Sequence, residues 1–304
     1  MELSVILATF RRQDILKNTL SSFTGLRFDK KWEVILVDNG CEEPVRALAE
    51  SFKGKVPIQY LPENSRGKNF AINSGIAKAA GKVIIFTDDD VLVPPDWLEK
   101  FYTGTSRWPD HNIFGGRILP HWPGGKEPGF IRKNEFYNMA YGMADWDFPE
   151  GEYPAGKVWG PNMAVRRKIF DEGHRYNTTI GPSVGKYMMG SETEFTTRME
   201  KLGHRAVFLP EVVVQHQIRE EQLDEAWLIG RAFRYGRSFP VTANQLNSAR
   251  LFGVPRYFYG LLWRNFLKRL TAFDGKARLD LAIEASILKG QMHQIRTGNG
   301  QTEG

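Results

Sequence analysis

Three consecutive aspartates, Asp88, Asp89 and Asp90, close an apolar run that begins at Gly81 and reads Gly-Lys-Val-Ile-Ile-Phe-Thr-Asp-Asp-Asp. The run has the composition of a buried parallel strand. Its acids therefore stand at the carboxyl end, the edge where open α/β sheets hold their ligands. Adjacent carboxylates repel one another unless positive charge lies among them. A hard divalent cation, held by oxygen ligands together with a phosphate group, suits them. That chemistry belongs to an enzyme handling a nucleotide or a sugar diphosphate. A solvated acidic turn is the competing reading, and the triplet alone does not separate the two.

The elements that would position such a site alternate in type. Ser4–Thr9 predicts a short strand, and a helix from Arg11 to Phe23 follows with Ile15, Leu16 and Leu20 on one face. Trp32–Val37 predicts a second strand ending in Asp38-Asn39-Gly40, then a helix from about Glu43 to Phe52, a strand at Ile58–Leu61 and a helix from Asn69 to Ala80. This order predicts a mostly parallel sheet with right-handed crossovers. Pro94-Pro95-Asp96-Trp97 opens a further helix. Periodicity then fades. Residues 119–158 hold five prolines and six glycines among scattered aromatics, which predicts a long functional loop or an antiparallel meander. Asn162–Arg167 reads as a short strand and Ser191–Leu202 as a helix. Arg205–Leu209 and Val212–Val214 read as strands broken at Pro210. Helices are expected over 221–233, 256–270 and about 277–293, with a disordered tail at 297–304.

At 304 residues the chain is long enough for a full core and an appendage. Its 41% hydrophobic and 25% charged residues are those of a soluble globular protein. The single cysteine, Cys41, excludes an intramolecular disulfide and any cysteine metal cluster, and fits a reducing compartment. Met1–Ser4 leads directly into a strand-like run, so no signal peptide is expected. No uncharged apolar window reaches spanning length. The net charge of +6 is uneven: residues 1–224 hold 29 Lys/Arg against 30 Asp/Glu, whereas 225–296 hold 12 against 4. A basic segment suits an anionic membrane surface, a nucleic acid or a plain solvated face, and no nucleic-acid motif accompanies it.

Ser4–Arg12, Val37–Gly40, Asn64–Gly75, Phe86–Asp90, Gly160–Arg167, Gly190–Phe195 through Arg198, and His216 occur in the order of a known family. Over about residues 3–240 the chain resembles family 2 glycosyltransferases of GT-A fold. The resemblance implies an α/β protein with a mostly parallel, Rossmann-like sheet flanked by helices and a C-terminal helical appendage. It also implies inverting transfer of a sugar from a nucleotide-diphosphate donor, with UDP-sugar as the expected donor, to a glycan or glycolipid hydroxyl. The domains expected are 1–218 (nucleotide-binding half about 1–100, acceptor half 101–218), the basic helical region 219–296 and the tail.

Inversion by in-line displacement needs charge to meet the departing diphosphate and a base to take the acceptor proton. Asp88 and Asp90 resemble the outer acids of the family's Asp-x-Asp motif. The resemblance implies that Asp90, with Asp88 beside it, holds Mg²⁺ or Mn²⁺. Asp89 either contacts the donor or is a solvated acid. His216 matches a metal-ligating histidine of related enzymes, and a nitrogen ligand favours Mn²⁺. The turn Gly190-Ser191-Glu192-Thr193-Glu194 places Glu192 where the family usually has its catalytic aspartate. Glu194 is the alternative base, unless Ser191 and Glu194 form a capping box.

The resemblance further places Ala8, Thr9 and Arg12 against the nucleobase and ribose, and gives Asp38 as the acceptor for a base N–H, although Asp38-Asn39-Gly40 also suits a plain turn. Lys68 lies in a region that contacts the base or diphosphate in relatives, and it is the better cation there because Ile72 stands near where many members carry arginine. Trp159, Gly160 and Asn162 would flank the donor sugar, and Trp122, Trp146 and Trp159 are candidate stacking platforms. Arg234 and Arg237 lie in a segment that closes over the donor in relatives. Helix 256–270 interleaves Arg and Lys with Trp, Tyr, Phe and Leu. Either it lies on an anionic membrane, making the enzyme peripheral on the cytoplasmic face, or it packs on protein. Two other readings remain: a sugar-phosphate nucleotidyltransferase, whose glycine-rich opening loop Ala8–Arg12 lacks, and a noncatalytic membrane-associated scaffold.

Overall fold

The computed structural model describes residues 1–180, 190–239 and 248–298, together with the short strands β9 (Pro182–Ser183) and β10 (Lys186–Tyr187). They fall into two compact units, one of residues 1–121 with 141–217 and one of 122–140 with 218–304.

The first unit is built on one sheet. Its first strands are β1 (Leu3–Thr9), β2 (Trp32–Asp38), β3 (Ile58–Pro62) and β4 (Val83–Asp88), in the spatial order β3-β2-β1-β4, all parallel. The chain moves outward from β1 and returns to its other side for β4, so β1 and β4 flank a topological switch point. Register carries the rest: Thr9 faces Asp38 across one pair, and Ala8 faces Asp88 across the other. Thus one sheet edge gathers Thr9, Asp38 and Asp88.

Beyond β4 the sheet is mixed, continuing through β8 (Met163–Arg166), β6 (Ile113–His121), β11 (Ala206–Gln217) and β5 (Val91–Leu92), with β7 (Gly151–Tyr153) also on β11. β8 runs antiparallel to β4, with Phe86 opposite Met163, which brings residues 160–162 beside the end of β4. β5 runs antiparallel to β11, with Val91 opposite His216. The Gln217 amide donates to Asp90 O at 2.7 Å and ties the acidic turn to the end of β11.

Alternating side chains feed two apolar layers. Val5, Leu7, Val34 and Leu36 pack with α1 (Gln13–Phe23), α2 (Glu43–Phe52) and α4 (Trp97–Arg107). Ile6, Ile35, Val37, Ile84 and Phe86 pack with α3 (Lys68–Lys78), α6 (Arg167–Asp171) and α7 (Ser191–Lys201). This is the α/β architecture expected from the sequence.

Two expectations fail. Residues 119–121, expected to begin a long loop or meander, instead end an interior strand that starts at Ile113. Pro210 does not split two strands: β11 is continuous for twelve residues, and the register shift between Leu209 and Val213 absorbs the proline.

The second unit is helical, with α5 (Glu135–Ala140), α8 (Glu225–Arg237), α9 (Arg256–Thr271) and α10 (Gly275–Gly298). A two-strand hairpin, β12 (Arg250–Leu251) with β13 (Val254–Pro255), leads into α9. Gly236 and Gly290 let α8 and α10 touch through backbone, since a Cβ on either would collide with the other helix. Of the expected tail 297–304, residues 299–304 lie outside the described residues.

Candidate active site

A cleft at the end of β1 and β4 is lined by Ala8, Lys68, Asp88, Gly160, Tyr176 and Glu192, among others. Lys68 opens α3, directly after Gly67, whose φ of 133° is a glycine conformation. Asn39 fixes that start: its amide donates to Glu63 O and Ser65 O, and its Oδ1 accepts from Gly67 N. Lys68 Nζ then reaches Asp88 Oδ1 at 2.8 Å and Glu192 Oε1 at 3.0 Å. Burial works against the lysine's charge, but the two acids outweigh it and hold its pKa well above the ordinary value. Burial likewise pushes Glu192 up, and Lys68 more than reverses that, leaving the carboxylate ionised.

Glu192 enters the cleft from the first turn of α7. The helix is led by Gly190 at φ 96°, and Ser191 is its first residue. The capping box therefore does not form. Ser191 Oγ donates to Glu192 Oε2 at 3.1 Å, and Glu194 pairs with Arg198 at 2.7 Å, one turn on.

The three aspartates divide their roles. Asp88 faces the cleft. Asp89 is neither solvated nor turned to it: it is 3% exposed, accepting from Thr9 Oγ1 and Arg12 Nη1, each at 2.7 Å. Arg12 extends its other nitrogen to Asp90 Oδ2 at 2.5 Å. Thr9 and Arg12 are thus engaged with the acids. Asp90 Oδ1 is buried without a hydrogen-bond partner among the described residues, 3.3 Å from His216 Nε2. Burial raises the Asp90 carboxyl, but His216 and then Arg12 pull it well below the usual range.

His216 Nδ1 lies 2.6 Å from Tyr141 O. A carbonyl only accepts, so Nδ1 carries the proton. The Nε2 lone pair then faces the unpartnered Asp90 oxygen. Two acceptors so placed need a positive charge between them, either a second imidazole proton or a cation with O and N ligands. The donor set fits a divalent metal.

Other expected residues have different work. Asp38 is fully enclosed: Oδ1 accepts from Gly40 N, and Oδ2 accepts from Glu42 N and Tyr60 Oη. These bonds shape the turn. Asn162 is also fully buried. Its Oδ1 accepts from Trp97 Nε1 at 3.0 Å, and its amide donates to Arg117 O and Val212 O. It locks the sheet to α4. Trp146 and Trp159 meet edge to face, with centroids 5.5 Å apart, each half-buried against the core. Trp122 is buried, and with Arg234 and Arg237 on α8 it belongs to the second unit.

Tyr176 is a lining residue that the sequence did not announce. It stacks on Phe195 at 4.4 Å, and its hydroxyl has no partner among the described residues.

Glu172, His174 and His204 form a second cluster able to hold a metal, with ligand atoms within 4.8 Å of one another. It lies at the other sheet edge. His204 precedes the start of β11, whereas His216 is near its end. Glu172 follows Arg166, which pairs with the first residue of β4. It cannot share an ion with Asp90.

The profile of "Glycosyl transferase family 2" matches residues 4–174. A glucosyl-dolichyl phosphate glucuronosyltransferase of Haloferax volcanii is 27% identical over 243 residues, covering 78% of this chain and 76% of its own. Succinoglycan biosynthesis protein ExoM of Rhizobium meliloti is 28% identical over 243 residues, 78% of this chain and 74% of its own. Among solved structures, the mannosyltransferase PcManGT of Pyrobaculum calidifontis, in complex with GDP-Man and Mn²⁺, superposes with a TM-score of 0.62 at 17% identity, over 96% of this chain and 86% of that one.

Proposed function

The chain belongs to glycosyl transferase family 2 and moves a sugar from a nucleotide-sugar donor to an acceptor; from that premise we propose that it does so with inversion, using Glu192 as the base toward a glycan or glycolipid hydroxyl. The observation that carries this is Lys68, whose single ammonium joins Asp88 and Glu192 and so puts the leaving-group side and the base side in one cleft. Glu192 is ionised, oriented by Ser191 and half-buried, as a proton acceptor should be. When a diphosphate enters, Lys68 has a stronger anion to pair with, and releasing Glu192 leaves that carboxylate free to take the acceptor proton. Tyr176 and Phe86 wall the cleft and limit water.

Asp90 and His216, with Asp88 nearby, would hold Mn²⁺ or Mg²⁺, which supplies positive charge against the diphosphate. UDP-sugars are the donors to test first. Asp38 is enclosed in this structure, so GDP- and dTDP-sugars belong in the same panel. Two relatives' names, one with dolichyl phosphate and one with succinoglycan, support a lipid-linked or polysaccharide acceptor. Helix 256–270 would bring the enzyme to an anionic membrane face, on the cytoplasmic side. No helix among the described residues is long and apolar enough to cross one.

The test is calorimetric titration of nucleotide sugars with and without Mn²⁺, followed by transfer assays on the best binder. Binding of a nucleotide sugar only with the cation supports the reading. Release of pyrophosphate from UTP and a sugar 1-phosphate would instead mark a nucleotidyltransferase.

A further inference from the structure

The hairpin before α9 turns through two residues, Phe252 and Gly253, both left-handed at φ 48° and 78°. Such a turn favours asparagine, aspartate or glycine at its first position, and a bulky ring there is sterically disfavoured. The ring gains no packing in return: Phe252 is 79% exposed. A strained, exposed aromatic held in place by its surroundings marks a functional position. The surroundings do hold it. Arg296 Nε donates to Phe252 O at 3.3 Å, Tyr259 Oη donates to Leu251 O at 3.1 Å, and Arg296 Nη2 donates to Tyr259 Oη at 3.0 Å.

The next helix, α9, has two apolar faces. Phe258 and Asn265 are buried on the inner one, where Phe258 packs with Val254, Met292 and Ile295. At 100° per residue, Trp263, Phe266, Leu267 and Leu270 fall on the opposite side, each at least 45% exposed. Phe273, just past the helix, is 97% exposed. Arg256 and Arg264 fall on or beside this outer stripe, whereas Lys268 and Arg269 lie toward the inner side. Residues 248–273 hold five basic side chains and no acid.

We propose that the Phe252 hairpin tip and the outer face of α9 form one docking surface for an anionic lipid bilayer, with the aromatics entering the headgroup boundary and the basic side chains meeting lipid phosphates. The surface sets exposed aromatic and aliphatic side chains among basic ones with no acid nearby in sequence, the composition of an interfacial helix. A second copy of this chain fits it poorly, because a two-fold contact would set the basic side chains against each other. The inference deepens the membrane contact assigned above, and vesicle binding needs no donor, so it is measured apart from turnover.

The test is sedimentation of the full chain with phosphatidylcholine vesicles, with and without phosphatidylglycerol, alongside Phe252→Asn and Trp263→Ser. The expected result is pelleting with the anionic vesicles only, partly reversed by salt. Each substitution should weaken it about tenfold or more. Phe252→Asn supplies the residue the turn prefers, so it should melt no lower than the wild type while binding less. Unchanged donor hydrolysis in both variants shows that the cleft is intact. Wild-type pelleting by both variants, or no pelleting of the parent chain, overturns the proposal. So does a dimer that Trp263→Ser dissociates. Normal pelleting with no donor turnover would sink the transfer reading and leave this one standing.

Discussion

Gly160 makes room for Glu192: a Cβ on residue 160 would lie 2.8 Å from both Cγ and Oε1 of the glutamate. The backbone of 159–162 and the first turn of α7 are therefore in contact at Glu192. Gly160→Ala should push the carboxylate out of line. A shift on the order of 1 Å in a reacting group costs up to about 10²-fold in rate. Transfer should fall by that order while donor affinity, measured by calorimetry, changes little. A fully active Gly160→Ala would mean that Glu192 does not need this position.

Glu192→Gln keeps the size and removes the proton acceptor. Transfer should fall by about 10²–10⁴-fold with donor binding near the parent value. Glu194→Gln should be nearly silent, because Glu194 only pairs with Arg198 along the surface of α7, worth about 0.5 kcal/mol or less. Steady-state transfer and thermal melts on both variants check this. A dead Glu194→Gln beside an active Glu192→Gln would exchange the two roles.

The acidic edge was legible because β4 is an unbroken apolar run ending in charge, and because the βαβ alternation fixes which edge that is. β6 was not. Its Gly115 and Gly116 erase the strand pattern, and both are glycine for reasons outside the strand: Tyr153 presses on one, Asn162 and Val212 on the other. Asp89 could not be oriented from sequence, since the strand ends at Asp88 and alternation no longer governs the residues beyond it. Asn39 read only as a turn residue, yet its three hydrogen bonds reach residues 63–67, a pairing that exists only after β2 and α3 have packed. Asp38 and Asn162 were polar where a ligand was expected. Their partners turned out to be backbone and core groups, which a sequence does not display.

Two metal-capable clusters make opposite predictions. Asp90→Asn removes a charged donor beside His216 and should abolish the Mn²⁺ requirement together with nucleotide affinity, as seen by calorimetry in the presence and absence of EDTA. His204→Ala, at the far edge of the sheet, should leave metal-dependent nucleotide binding unchanged. Loss of that binding in His204→Ala, with Asp90→Asn unaffected and both folded by circular dichroism, would move the cofactor to the Glu172 cluster.

Arg12 is the clamp between Asp89 and Asp90, and its removal leaves two buried carboxylates facing each other. Breaking a buried ion pair from one side costs about 3–5 kcal/mol. Arg12 is about a third exposed, so the lower end of that range is the better expectation for Arg12→Met. Asp89→Asn should cost less, about 1–3 kcal/mol, because the amide still offers an oxygen to Arg12 and the Thr9 hydroxyl can turn to accept. The two variants also differ in how they meet a cation. With Arg12 gone, a divalent ion at Asp90 replaces the missing positive charge, so Mn²⁺ should raise the melting temperature of Arg12→Met by more than it raises the parent's. In Asp89→Asn the guanidinium stays paired with Asp90 and competes with the ion, so the same Mn²⁺ concentration should stabilise that variant less than the parent. Melting curves of the three proteins over a Mn²⁺ series read this without any substrate. Equal Mn²⁺ shifts in all three would show that Arg12 and the cation do not act on the same carboxylate.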